Sequence, residues 1–371
     1  MFRKRTAEEK TKKGGVVERL HNKIMETVTM YKEITMDEFL EMICSALKDF
    51  YGNENRVRRA NVRKNNGIIL HGVTLINENS NISPTVYVDD FYEEYNKGCL
   101  TMGEIVNSII KVGEEHAKEG DFSMDFFTDF EKVKSRLVFK LVNTEKNREL
   151  LKDIPSFPYM DMSYIFYCIL DNEMLGEASI LVYNNHLKLW NIEKEELLAL
   201  ARKNTPLHLP AKISSMEDVM RSIIKEDLLH KCDEYMETYL SEEELSHDDE
   251  LRMKEPEQWL EVMADRLLDR IFDMRDSFPM YVVTNQKKLY GAACMTYDGL
   301  LENFGKRLQK NFYILPSSVH EIILVPDENL EDAQRLQSMV REVNETQVSG
   351  EEVLTDSVYY YDWQEDIISR L

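Results

Sequence analysis

Residues 312–327, Phe-Tyr-Ile-Leu-Pro-Ser-Ser-Val-His-Glu-Ile-Ile-Leu-Val-Pro-Asp, constrain the fold more than any other stretch of this chain. Phe312 to Leu315 and Val319 to Val325 are short runs rich in β-branched and aromatic side chains, bounded by Pro316-Ser317-Ser318 and Pro326-Asp327. Runs of that kind form adjacent buried strands, and so short a turn joins only antiparallel neighbours. Arg56 to Lys64 and Ile68 to Ile76, joined through Asn65-Asn66-Gly67, repeat the pattern. Together they predict an α+β fold, with antiparallel or mixed sheet segments and helices packed on them.

Helical periodicity fills much of the remainder. Val16 to Tyr31 is weakly amphipathic. Thr35 and Glu38 form a capping box ahead of Phe39, Leu40, Ile43, Leu47 and Phe50. Further helices are expected over 144–151, from Ile192 to a stop at Thr205-Pro206, and over 291–310. Pro155 to Pro158 reads as a stiff connection. Residues 225–276 carry eighteen acidic and seven basic residues, a balance of −11. Two apolar stripes, Leu228 to Tyr239 and Trp259 to Ile271, make this stretch an acidic helical hairpin around a loop from Ser241 to Glu257. The segmentation is N-terminal helices over 1–52, an α+β module with a hairpin over 53–154, a second α+β module over 155–214, the acidic helical hairpin over 215–277, and a C-terminal α+β module over 278–371.

The formal net charge of −22 disfavours a nucleic-acid binder, because phosphate contacts need a positive surface. No apolar run approaches the ~20 residues that span a bilayer, so no membrane association is expected. The basic first thirteen residues lack an apolar segment after them, which points to the cytoplasm and not to secretion. Five widely spaced cysteines read as reduced, buried thiols. Arg56, Arg58, Arg59, Arg63 and Lys64 suit either a phosphate-binding face or an edge strand protected by charge. Asp89, Asp90, Glu93 and Glu94 suit a solvated helix face better than a metal site.

The sequence contains no phosphate loop, dinucleotide fingerprint or zinc-protease motif, so no cofactor and no metal is expected. Candidate site residues gather near the central hairpin: Asn285, Cys294, Ser317, Ser318, His320 and Glu321. A serine nucleophile needs a base and an oxyanion hole, which Ser-x-x-His across a turn does not supply alone. Cys294, at a small-residue helix start, is the better-placed nucleophile if His320 adjoins it in space. Two functions follow. One is a binding or adaptor protein that presents the acidic helices or the α/β cleft to a partner protein. The other is a hydrolase-like enzyme with a pocket around Cys294, Ser317 and His320.

Several motifs carry a family resemblance: Gly67-Ile68-Ile69-Leu70-His71-Gly72, Asn81 to Tyr87, Phe127 to Val133, Gly291-Ala292-Ala293-Cys294, Ile314 to Glu321, and Val358-Tyr359-Tyr360-Tyr361-Asp362. In these the chain resembles the bacterial family called domain of unknown function 5688, found in Clostridia. Leu189-Trp190-Asn191-Ile192 and the 280–327 stretch are more faintly similar to domain of unknown function 1444 of Firmicutes. Neither resemblance implies an activity.

Overall fold

The structure is a computed structural model, and it describes residues 34–53, 56–76, 83–116, 125–172, 176–239, 256–271, 279–316, 318–328 and 333–371. The helix expected over Val16 to Tyr31, most of the loop from Ser241 to Glu257, and Ser317 lie outside the described residues. Contacts gather the chain into two compact units, one from residues 1–63 and 69–122, the other from 64–68 and 123–371. Segment 53–154 therefore contributes to both.

In the first unit, helix α1 (Met36–Tyr51) opens on the expected capping box, with Glu38 N donating to Thr35 Oγ1 at 3.2 Å and Thr35 N to Glu38 Oε2 at 2.8 Å. It ends at Gly52, whose φ of 62° is the left-handed conformation glycine adopts without strain. Phe39, Leu40, Ile43 and Leu47 are buried, while Phe50, expected on the same face, is exposed. They share a core with Val73, Val88, Ile105 and Ile109. The sheet is antiparallel, in the order β1 (Val57–Arg63), β2 (Ile69–Leu75), β3 (Thr85–Tyr87), and is followed by α2 (Asp89–Asn96) and α3 (Met102–His116). The basic edge strand is engaged by its own unit: Arg59 pairs with Glu41 at 2.6 Å, and the Arg56 guanidinium lies 4.6 Å from the Tyr51 ring. Among the acids of α2, Asp89 binds the His71 ring at 2.8 Å, and Glu93 and Glu94 pair with Lys97.

The second unit holds two antiparallel sheets. In the smaller, β6 (Met162–Asn172) pairs with β4 (Leu137–Asn143) along one edge, and with β5 (Ser156–Tyr159) and β7 (Gly176–Leu181) along the other. The larger runs β13 (Ile367–Arg370), β12 (Tyr359–Asp362), β10 (Phe312–Leu315), β11 (Ile322–Pro326), β9 (Tyr281–Asn285), β8 (Ala211–Ser215). The hairpin β10–β11 is its centre, with Ile314 opposite Leu324, and Ile314, Ile322 and Leu324 are all fully buried. Leu137, Phe139 and Leu141 from the small sheet, and Phe312, Leu324 and Tyr359 from the large one, belong to a single core. Asp161, just before β6, ties them further: its carboxylate accepts hydrogen bonds from Thr355 at 2.7 Å, Ser357 at 2.8 Å and the Tyr359 hydroxyl. The fold is therefore α+β and antiparallel.

The helices of this unit are α4 (Asp125–Thr128), α5 (Phe130–Val133), α6 (Asn184–Trp190), α7 (Lys194–His208), α8 (Met216–Tyr239), α9 (Pro256–Ile271), α10 (Leu300–Leu308) and α11 (Ala333–Thr346). Helices α8 and α9 bury Ile224, Leu228, Trp259, Met263 and Leu267 in a cluster of their own. Arg221–Asp265 and Lys225–Glu261 ion pairs cross between the two helices.

Local readings failed where side chains compete with the helix ladder. Residues 144–151 turn instead of forming a helix, because Asn143 Oδ1 takes the Lys146 N–H at 2.9 Å and Asn147 Nδ2 takes the Asn143 carbonyl. The 291–310 helix is split into a 3₁₀ turn, Gly291–Thr296, and α10, with a break at Gly299, φ 73°. Helix α7 continues through Pro206 to His208, since the ring removes one N–H while Leu209 N still reaches Thr205 O at 2.8 Å. Pro155 to Pro158 supplies most of β5, where proline is tolerated at a sheet margin.

Candidate functional site

The turn that leaves β9 organises the site. Asn285 is buried, and its side chain is consumed by shaping that turn: Oδ1 accepts from Lys287 N at 3.0 Å and Leu289 N at 3.2 Å, and Nδ2 donates to Leu289 O at 2.6 Å. The chain then passes through Tyr290 at φ 55°, a left-handed conformation that a bulky residue rarely adopts. Gly291 follows because nothing larger fits. A Cβ there would lie 2.3 Å from Thr284 Oγ1 and 2.4 Å from His320 O.

The hairpin loop locks this turn. Thr284 Oγ1 donates to His320 O at 2.8 Å, Tyr290 N donates to His320 Nδ1 at 3.2 Å, and His320 N donates to Ser318 Oγ at 3.0 Å. With Nδ1 accepting, the neutral ring carries its proton on Nε2, which faces Glu352 Oε1 at 3.6 Å. Glu321 is half-buried, and its carbonyl accepts from Ser318 N at 3.4 Å. Cys294 is fully buried, its Sγ donates to Thr284 O at 3.4 Å, and burial pushes its thiol up to about 12. Asn285, Cys294, Ser318, His320 and Glu321 are thus neighbours in the fold, and the side chains of Asn285, Cys294 and Ser318 and the His320 Nδ1 are engaged by backbone groups. No hydrogen bond joins Cys294 to His320.

A second set of residues converges on Tyr290. Its ring stacks on His320 at 5.6 Å and 17° and meets Tyr167 edge-on at 5.4 Å. The Lys140 Nζ stands 3.7 Å from its centroid. Lys140 occupies the middle of β4 on the face shared with Val138 and Val142, both buried. Val138 pairs with Tyr167 and Lys140 with Ile165, so Lys140 and Tyr167 are diagonal neighbours on one face of the sheet. Lys140 is half-buried and makes no ion pair among the described residues. Burial pushes its ammonium down to about 8 against the opposing pull of Glu351, with a smaller push from the Lys64 charge. The Tyr167 hydroxyl is buried without a hydrogen-bond partner among the described residues, and desolvation raises its pKa.

Asparagines hold the backbone next to Lys64 and at Glu351. Asn65 Nδ2 donates to Glu351 O at 2.7 Å, and Asn66 Nδ2 to Gly350 O at 2.9 Å and Val353 O at 2.7 Å. Asn147 and Asn66 exchange two further bonds, at 2.9 and 3.0 Å. Lys64 and Glu351 follow from that lattice. The sequence singled out His320 but not Lys140, Tyr167 or Tyr290, which the fold places beside it. The available signal was a lone lysine inside Leu137-Val138-Phe139-Lys140-Leu141-Val142, an otherwise apolar strand. On the opposite face of β4 lies a cavity of about 260 Å³, lined among others by Phe139, Arg202, Thr296, Asp298 and Asn303.

Fold and site together define an antiparallel α+β protein with a lysine–tyrosine–histidine surface beside its central hairpin. The chain belongs to the Family of unknown function (DUF5688), whose model matches residues 36–363. No curated protein and no solved structure is significantly similar to it. No helix among the described residues is long and apolar enough to cross a membrane.

Proposed function

We propose that this is a cytoplasmic bacterial binding protein whose second unit takes a small anionic ligand at Lys140, Tyr290 and His320. The observation that carries this is Lys140: a half-buried cation, beside a second lysine, with no ion pair among the described residues. Removing a charge from water without a partner is unfavourable, so such a position gains by receiving an anion. Tyr290 adds support, since a strained backbone held by several independent contacts is characteristic of functional sites. On a chain of net charge −22 two lysines act at this position, with the Glu351 carboxylate opposing them.

The test is thermal unfolding with a panel of phosphate, sulfate, citrate and short carboxylates. Saturable stabilisation of the wild type that is lost in Lys140→Met is the expected result. Absence of any shift, or a shift unchanged in Lys140→Met, would overturn the proposal.

A second interaction is supported at α8 and α9. Arg221 and Lys225 are taken up by ion pairs with Glu217, Asp265 and Glu261, while Glu226 is exposed and makes no ion pair among the described residues. A basic protein partner fits that surface, and salt-sensitive capture from the native host should fail with Glu226→Lys. A hydrolase built on Cys294, Ser317 and His320 has less support, because the thiol is buried against a carbonyl and the imidazole Nδ1 is occupied.

A further inference from the structure

We infer that Lys140 captures a small aldehyde or ketone bearing a carboxylate or phosphate, as a reversible imine at Nζ. This rests on the anionic-ligand site proposed above and names the chemistry it performs. Four observations carry it. The side chain projects from the centre of a strand, which fixes its backbone, and the residue is only partly buried. It makes no ion pair among the described residues, and burial outweighs the Glu351 charge that favours the ammonium. The Tyr290 ring, 3.7 Å away, orients it and is itself pinned by His320. The Tyr167 hydroxyl, diagonal to Lys140 on the same face, is a buried donor with no hydrogen-bond partner among the described residues. The depressed ammonium pKa supplies neutral amine near physiological pH.

The step balances without oxidant or reductant. Neutral Nζ adds to the carbonyl carbon, a C–N bond forms, and the carbonyl oxygen receives the proton that leaves nitrogen. The resulting carbinolamine hydroxyl is protonated and departs as water, leaving a protonated imine. Addition of water reverses the sequence. The Lys64 charge, which acts on both Lys140 and Tyr290, would favour the ligand's anionic group, and Glu351, which acts on the same two residues, would oppose it.

The experiment uses the full chain, incubated at pH 7.5 with glyoxylate and cyanoborohydride, then digested and mapped by mass spectrometry. The expected result is an adduct at Lys140 that forms about tenfold or more faster than at the average lysine, because a larger fraction of this amine is neutral. Lys140→Arg should lose that rapid phase while retaining the wild-type circular dichroism spectrum. Propionaldehyde, which has no anionic group, should react at Lys140 at least severalfold more slowly than glyoxylate. Label spread evenly over the lysines would overturn the inference, and so would a rapid phase retained in Lys140→Arg. If anions stabilise the wild type but no Lys140 adduct forms, imine capture fails and the binding site stands. If the adduct forms equally with propionaldehyde, the anionic site fails instead and capture at Lys140 stands.

Discussion

Lys140 Nζ lies 3.7 Å from the Tyr290 ring centroid, with the cation of one sheet set against an aromatic from the turn that leaves the other. A cation over a ring gains from the ring's quadrupole, by about 0.5–2 kcal/mol. That is less than an ion pair would return for the water lost, so the amine remains perturbed and available.

The perturbation sets a pH dependence. The folded-state pKa of Lys140 is depressed from 10.5 to about 8, so between those values the unfolded chain binds more protons and stability rises with pH. Below pH 8 the charged, half-buried amine is a full liability. Lys140→Met should therefore stabilise the protein at pH 7 by roughly 1–2 kcal/mol, allowing for partial solvent exposure, and the advantage should shrink toward pH 10. Urea unfolding of both proteins across this range checks it. A variant less stable at pH 7 would contradict it.

The central hairpin is predicted to tolerate loss of its polar groups better than of its aliphatics. Leu324→Ala should cost roughly 2–5 kcal/mol, because Leu324 is fully buried between β10 and β9. His320→Ala should cost about 1 kcal/mol by orphaning the Tyr290 N–H. Gly291→Ala should exceed His320→Ala, since the new methyl meets backbone atoms of His320 and Asn285 that cannot swing aside. Equal melting temperatures for the three variants would show that the turn is not packed as described.

Thiol reactivity should separate sharply by position. Cys99 is exposed, whereas burial pushes both Cys168 and Cys294 up to about 12. Iodoacetamide at pH 8 should alkylate Cys99 in the native protein and reach Cys168 and Cys294 only on unfolding. Early labelling of Cys294 would restore it as a candidate nucleophile.

Asp161 should contribute to acid sensitivity. Burial raises its pKa, but hydrogen bonds from Tyr359, Thr355 and Ser357 outweigh that and hold the carboxyl below the ordinary range. Its stabilisation is present above the unfolded-state value and lost as pH falls through the lowered folded one. Asp161→Ala should cost roughly 2–4 kcal/mol at pH 7 and progressively less in acid, as denaturant unfolding would report. A cost that does not change with pH would contradict the assignment.

What was legible in the sequence is what local physics decides. The hairpins at 312–326 and 57–75 were marked by β-branched runs and short turns, and α1 by its capping box. The helix expected over 144–151 failed because Asn143 and Asn147 hydrogen bonds, invisible to periodicity, redirect the backbone. For the site, His320 and Asn285 stood out as polar residues beside apolar runs, but their partners are set by tertiary structure. Lys140 and Tyr290 are 150 residues apart in the chain and meet only through sheet packing. A lone lysine in an apolar strand reads as an edge residue, and β4 is indeed an edge strand; what the sequence does not show is the Tyr290 ring that meets its face.

The most direct test of the account is the titration of Lys140 itself. Lysine labelled at ¹³Cε gives one NMR resonance per side chain, and comparison with Lys140→Arg assigns the relevant one. The account predicts a midpoint at about 8. A midpoint near the ordinary 10.5 would show a hydrated, unperturbed ammonium, and both the anion site and the capture chemistry would lose their basis.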